Sequence, residues 1–296
     1  MAHLYYKQIS IDHTKITENL SNFPVLVRLN SDNFDFGPTQ NYGQDIRFSA
    51  QQTWAAESGY AYEIETFDRN GERADIWVKI PFISSETDTI FYLHYGDAEL
   101  PDAQDSYSVW SSPYKIVNHF SSAFTHNSAS GNYVSRVLNS PKRSSGIAGS
   151  GLFFDGASSN SCILYSGITD WESGRDKYTE PFSASCAIKK ENYTIDGADI
   201  IGRNGPSGIY TSSFSWRIYQ HDYSGIVFAL LNAGGAYIES TSTYYTDIAG
   251  PNYKYITAVY DVSGVGPWNY FLKLYIDGIL VDYKSKLSSE PVGFNS

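Results

Sequence analysis

"KLYIDGILVDY", residues 273–283, sets two apolar alternating runs on either side of Asp277-Gly278. Asp-Gly is the pair a two-residue type I′ turn prefers, because both central positions need φ > 0. With the turn there, Ile276 faces Ile279, Leu274 faces Val281, Leu272 faces Tyr283, and Lys273 falls across from Asp282. Side chains alternate along a strand, so the predicted hairpin has one apolar face and one wet face carrying the Lys273–Asp282 pair. An exposed pair contributes about 0.5 kcal/mol at most, so burial of the Leu, Ile and Val face must hold the hairpin. The reading makes this a sheet element with one face in water. It leaves open whether the hairpin only closes a sandwich or belongs to one that grips a ligand.

The rest of the 296 residues agrees with a sheet protein. There are 25 Tyr and 16 Phe against a single Met, and tyrosine favours pleated, half-buried surfaces. Long Leu/Ala/Glu/Lys runs with a 3.6-residue period are missing. The class expected is all-β. A net charge of -11 argues against nucleic acid, since neutralising phosphates needs clustered Lys and Arg. No stretch reaches the roughly 18 consecutive apolar residues of a membrane span. The opening "MAHLYYKQISID" has no basic region followed by an apolar one, so no signal peptide is expected. Cys162 and Cys186 could pair, but two cysteines make no disulfide framework, and buried free thiols are the expected state.

Short alternating runs separated by turn clusters continue along the chain, as a sandwich requires. The first group is "LYYKQISI" (4–11), "FPVLVRL" (23–29), "DIRFSA" (45–50), "YAYEIETF" (60–67), "ADIWVKIPF" (74–82) and "TIFYLHYG" (89–96). After the polar "GDAELPDAQDSYSVW" (96–110) the loops lengthen. Then come "GLFFDG" (151–156), "SCILYSG" (161–167), "PFSASCAIKK" (181–190), "ADIIGR" (198–203), "SFSWRIYQ" (213–220), "GIVFALL" (225–231), "YKYITAVYDV" (253–262) and the opening hairpin. Two antiparallel β-sandwich domains are expected, at 1–110 and 111–296.

In order, "FPVLVRLNS", "DIRFS", "YEIETFD", "IWVKIP" and "FYLHYGD" resemble the domain of unknown function numbered two-three-four-one, over roughly residues 4–97. Leu4 or Tyr5 stands where that family opens with Trp. The continuation "SVW…YKIVNHF…NSASGN…GLFFDG" resembles the lead into a laminin-G-like, or concanavalin-A-like, lectin/glucanase jelly roll. There "PFSASCAIKK" matches a strand with Ala187 at a Trp position, and "YKYITAVYD" and "KLYIDGILVDY" match a late strand and hairpin. The jelly roll of that family runs on through further strands, whereas this chain stops at "SSEPVGFNS". Against the resemblance, either the sequence is a fragment, or the fold closes differently, or a partner supplies the missing edge, and assembly through that edge is the expectation.

The sharpest catalytic candidate is "YEIETFD", where Glu63 and Glu65 share one strand face and, with Asp68, loosely resemble the E-x-D-x-x-E strand of family-sixteen glycosidases. Retaining hydrolysis needs two carboxyls about 5 Å apart across the bond. The resemblance would put that motif in the jelly roll, not in the first domain, so a solvated strand is the preferred reading. The histidines are scattered and no G-x-S-x-G elbow is present. His119, in "IVNHF", reads as a structural histidine rather than a base. Calcium is the one ion such jelly rolls hold on rim-loop oxygens, but in "NSASGN" Asn127 replaces a charged ligand. Asp196 and Asp199 in "TIDGAD" are the weak metal candidates beside a plain turn. No other cofactor is implied.

Binding suits the inventory better. Sugar sites combine an aromatic platform with amide, carboxylate or guanidinium groups. Trp216, Arg217 and Tyr219 in "SFSWRIYQHDY", Trp171 in "ITDWESGRD", and Tyr244 and Tyr245 in "STSTYYTD" are the carbohydrate-binding candidates. For Trp216 the alternative is a place in the core. The sequence thus points to a non-enzymatic, lectin-like adhesin of a virion, such as a phage tail-fibre or capsid-associated protein. It would act outside the cell, with host-surface glycan or protein and other virion subunits as partners in an oligomeric assembly, and with no membrane insertion. A structural subunit or fragment of a microbial surface protein ranks second and a glycoside hydrolase third.

Overall fold

A computed structural model describes residues 5–55, 59–110, 113–121, 126–129, 134–138, 141–154, 162–166, 181–189, 199–203, 215–221, 225–231, 237–243, 252–262 and 270–286. The protein is all-β, built of several antiparallel sheets. It divides into two compact units, Met1–Asp155 with Ser161–Ile168, and Gly156–Asn160 with Thr169–Ser296. That division falls well beyond residue 110, and Gln104, Asp105, Trp110, Ser128, Ile147 and Gly149 are bonded to the first sandwich, as set out below. Among the described residues no helix is long and apolar enough to cross a membrane.

The first unit contains β1 (Tyr5–Ile11), β2 (Leu20–Asn30), β3 (Arg47–Ser49), β4 (Tyr62–Asp68), β5 (Arg73–Ile83), β6 (Thr89–Tyr95) and one turn of helix, α1 (Ser106–Val109). It continues through β7 (Val134–Leu138), β8 (Lys142–Ser145), β9 (Ser150–Phe153) and β10 (Cys162–Ser166). Strand orders are β1-β6-β3 and β2-β5-β4, with the pairs β10-β7 and β8-β9 beside them. The two three-stranded sheets meet in one core. Phe48, Phe91 and Leu93 come from one sheet, and Leu29, Tyr62, Ile76 and Val78 from the other. Alternation does this work: in β5, Ala74, Ile76, Val78 and Ile80 are at most 1% exposed, each two residues from the next.

The second unit contains β11 (Phe182–Ile188), β12 (Asp199–Arg203), β13 (Ser215–His221), β14 (Gly225–Leu231), β15 (Tyr237–Thr243), β16 (Lys254–Val262), β17 (Tyr270–Ile276) and β18 (Ile279–Lys286). The orders are β11-β16-β17-β18 and β12-β13-β14-β15, and these sheets also share a core. Ile256, Ala258, Tyr260, Leu272 and Leu274 face Trp216, Ile218, Ile226, Phe228 and Leu230 within it.

The 273–283 hairpin forms with the expected turn, Asp277 at φ 51 and Gly278 at φ 79, and Ile276 opposite Ile279. Its register then shifts between Leu274 and Tyr275, so Leu274 faces Asp282 and Lys273 faces Tyr283. The expected Lys273–Asp282 pair is replaced. Lys273 Nζ donates to Asp261 of β16 at 2.9 Å, and Asp277 accepts from Lys254 Nζ at 2.8 Å and from Tyr255 N at 2.9 Å. A bulge sets two residues against one, which alternation alone does not reveal. A Cβ on Gly278 would meet no atom within 4 Å, so its substitution isolates backbone strain. Gly278→Ala should lower the stability of the second unit by about 1 kcal/mol, read from a urea midpoint, and Gly278→Asn should cost less. Equal midpoints for Gly278→Ala and the parent would refute this.

Cys186 is a free thiol whose burial pushes its pKa up to about 12. It is inert as a nucleophile at neutral pH. Cys162 lies in β10, and its side chain falls outside the described residues.

Candidate functional site

The site begins with a fault in a strand. In β4 and β5, Glu63 faces Trp77 and Ile64 faces Ile76, but Thr66 then faces Asp75, which leaves Glu65 as an extra residue. The bulge lets Ile64 and Phe67 both pack towards the core while Glu63 and Glu65 both reach the sheet's other face. That face is not in water. Glu63 is 8% exposed and Asp75 1%. The expectation of a solvated strand is corrected here, because the chain that follows β6 covers it.

The covering begins at the free edge of β4. Gln104 Oε1 accepts from Ile64 N at 2.7 Å, and Asp105 N donates to Tyr62 O at 2.9 Å. Asp105 also caps α1, accepting from Ser108 N at 3.0 Å, which turns the chain so that Trp110 points back onto the sheet. Trp110 Nε1 donates to Glu63 Oε2 at 2.6 Å and Ser128 Oγ donates to Glu63 Oε1 at 2.5 Å. Trp77 Nε1 donates to Glu65 Oε2 at 2.8 Å. Between the two acids lies His119, its Nε2 3.3 Å from Glu63 and its Nδ1 3.3 Å from Glu65. Its ring stacks on Trp77 with centroids 5.7 Å apart and lies 5.6 Å from that of Trp110.

The third carboxylate on this face is neutralised differently. Asp75 accepts from Arg28 Nε at 3.1 Å and Arg73 Nη2 at 2.9 Å, while Gly149 N reaches it at 3.3 Å. Arg28 donates onward to Ile147 O at 2.6 Å. Gly149 sits at φ 56, and a Cβ there would lie 2.6 Å from Thr66 Oγ1 and 2.9 Å from Glu65 Oε1, so glycine admits this close approach.

Burial and bonding pull the two glutamates apart. Burial pushes Glu63 up, but hydrogen bonds from His119, Ser128 and Trp110 outweigh it and hold the carboxyl below its ordinary value. For Glu65 burial prevails over His119 and Trp77, with Asp75 and Glu63 adding to it, and the carboxyl sits above its ordinary value. The side chains of Glu63, Glu65 and His119 are 11%, 3% and 10% exposed. The arrangement is a polar network that ties Gln104, Asp105, Trp110, His119, Ser128 and Gly149 to β4 and β5.

His119 thus sits between the two glutamates, and Asn127 ties its own loop together. Its side chain accepts from Val117 N at 2.8 Å and Ala129 N at 3.1 Å and donates to Lys115 O at 3.1 Å. The sequence reading singled out Glu63, Glu65 and His119 but not their union, and it missed Trp77, Trp110, Ser128 and Asp75. The signal available was the run "SVW…NHF…NSAS", whose Trp, His and Ser all point at one place.

The binding candidates fare unevenly. Trp216 is 4% exposed inside the second core, its ring 5.2 Å from Phe182, so it offers no stacking face, which corrects that expectation. Tyr219 is also 4% exposed, and the Arg217 guanidinium lies 3.9 Å from its ring centroid. Trp171, Tyr244, Tyr245 and Asp196 lie outside the described residues, as does the side chain of Asp199, at the start of β12. Among the described residues, the one group of acids and His placed to share an ion is Asp12, His13 and Asp88. There, however, His13 Nδ1 already contacts Asp88 at 2.7 Å and Asp12 accepts from Thr14.

A family model described as Domain of unknown function (DUF2341) matches residues 42–171. The match begins and ends later than the 4–97 expected and takes in every residue of the Glu63–Glu65–His119 cluster. No curated protein and no solved structure matches the chain.

Proposed function

We propose that this is a non-enzymatic attachment protein of a virion or microbial surface, which holds host-surface glycan on the outer faces and loops of its two β units. We take the second unit as a laminin-G-like jelly roll, in keeping with the order of its strand motifs. The observation that carries the non-enzymatic reading is the bonding of the cluster: the sharpest acid pair in the sequence is engaged by two tryptophans, a serine and a histidine. A glycosidase acid must reach the glycosidic oxygen, and these carboxyls are already engaged within the protein. The test is a glycan array, run alongside a reducing-sugar assay on the glycans retained. Retention without release of reducing ends is expected, and release that Glu63→Gln stops would overturn the reading. Trp171→Ala and Tyr244→Ala should each weaken retention about tenfold, the order expected for losing one stacked ring. Unchanged retention would remove those positions from the site. Peptide mapping of purified particles tests the location.

A structural subunit is the second reading. Ile279 and Tyr283, 67% and 59% exposed, lie on β18, which ends its sheet among the described residues. Sedimentation that grows with protein concentration and is abolished by Tyr283→Lys would favour it.

A further inference from the structure

The outer face of the β1-β6-β3 sheet carries a feature that neither the motifs nor the binding candidates include. On β1, Tyr6, Gln8 and Ser10 alternate outward, each exposed. Opposite them on β6 stand His94, Tyr92 and Ile90 in register. Tyr6 is 51% exposed and Ile90 46%. The ring of Tyr6 meets that of Tyr92 edge-on, with centroids 6.1 Å apart, and Gln52 Nε2 donates to the Tyr6 hydroxyl at 2.6 Å. Edge-on packing fixes one ring against the other, so Tyr6 holds its orientation at the surface with a hydroxyl and an amide at its rim.

Charge narrows what this face can receive. Among the described residues its exposed side chains, Tyr6, Gln8, Ser10, Ile90, half-buried Tyr92 and the adjoining Gln52, include no Asp, Glu, Lys or Arg. Arg47 and His94 share the face but are buried at 8% and 2%. Arg47 donates to Pro101 O and Tyr62 Oη, and His94 Nε2 lies 3.0 Å from Ser49 Oγ. At the far end of β1 stand Asp12 and, paired with His13, Asp88. A neutral strip bounded by acids, on a chain of net charge -11, repels polyanions and gains nothing from cations. What remains complementary is a neutral partner with flat C–H faces for the rings and hydroxyls for the amides. Tyr6 to Ser10 spans roughly 13 Å along the strand, long enough for a few linked sugar rings.

We infer that the Tyr6–Tyr92 face is a binding platform for a neutral polysaccharide. This assignment rests on the glycan-attachment reading and gives it a ligand class and a place. The experiment is affinity electrophoresis of the full chain through gels containing dextran, laminarin or galactomannan, with hyaluronate and polygalacturonate as anionic counterparts. At least one neutral polymer should retard the protein, and the anionic ones should not. Tyr6→Ala and Tyr92→Ala should each raise the dissociation constant about tenfold, while Tyr6→Phe, which keeps the ring, should stay within about threefold of the parent. Tyr42→Ala, at a tyrosine 72% exposed and off this face, is the control and should change nothing. Circular dichroism confirms that each variant folds, and Gln8→Ala, which removes an exposed amide only, provides a second, milder probe.

Retardation of the parent with Tyr6→Ala and Tyr92→Ala unchanged would refute this platform while leaving glycan attachment standing elsewhere. A parent retarded by none of the neutral polymers would refute both. Equal retardation by hyaluronate would refute the charge argument and the ligand class with it. Self-association lost in Tyr6→Ala, without any effect on retardation, would assign the face to a second copy of the chain and end the proposal.

Discussion

Glu63→Gln should loosen the segment from Trp110 to Ala129 and destabilise the first unit by about 1–2 kcal/mol, the margin by which hydrogen bonds to a charged acceptor exceed those to a neutral one. The magnitude follows from counting donors. Glu63 accepts from Trp110 Nε1 and Ser128 Oγ and lies 3.3 Å from His119 Nε2. A glutamine in the same place has one oxygen, and its amide nitrogen must point at a second donor. Ser128 can turn its hydroxyl to accept, but an indole N–H cannot. The oxygen therefore stays with Trp110 and the amide turns to Ser128, so every group keeps a partner and what is lost is the negative charge that strengthened each bond. Amide hydrogen exchange should rise most at Val117 and Ser128, and trypsin should open a new cut after Lys115. Unaltered exchange across residues 113–129 would show that the segment is held by something other than this cluster.

Most of the sheet architecture was legible because alternation is a local signal. β5 reads inward at Ala74, Ile76, Val78 and Ile80 from the sequence as it does in the fold. What could not be read was whether a strand's second face is also covered. Glu63 and Glu65 have the spacing of a solvated face, and they are buried because a partner 47 to 65 residues later in the chain lies on them. Trp216 and Tyr219 show the same limit in the second unit. They point to opposite faces of β13, yet both are 4% exposed, so parity could not say which ring, if either, meets solvent. Bulges are the other blind spot. The extra residue at Glu65 and the shift after Leu274 each moved an ion pair or acid to a new partner without altering the apolar pattern around them. The turn chemistry, by contrast, was explicit, since Asp-Gly states its own φ values.

Across pH the two glutamates should act with opposite sign, and their glutamine variants separate them. The ordinary carboxyl value for both is 4.5. Glu63 sits below it in the folded protein, so its ionised form contributes stability that is fully present above pH 4.5 and is lost as pH falls through the lower folded value. The gap between the parent and Glu63→Gln should therefore be constant from pH 7 to about pH 5 and then narrow, as the parent's own carboxyl takes up a proton. Glu65 sits above 4.5 in the folded state. Its contribution is present below pH 4.5 and is lost as pH rises through the folded value, where the buried group must ionise beside Asp75 and Glu63. Glu65→Gln keeps an oxygen for Trp77 Nε1 and cannot ionise. That variant should gain on the parent as pH rises above 4.5. His119 lies 3.3 Å from both glutamates and Asp75 lies near Glu65, and both are present in all three proteins. The readout is the exchange of the 105–129 amides or the urea midpoint of the first unit, at half-unit steps of pH. Two variants running parallel to the parent at every pH would mean that neither carboxyl differs between folded and unfolded chain, and the electrostatic account of the cluster would fail.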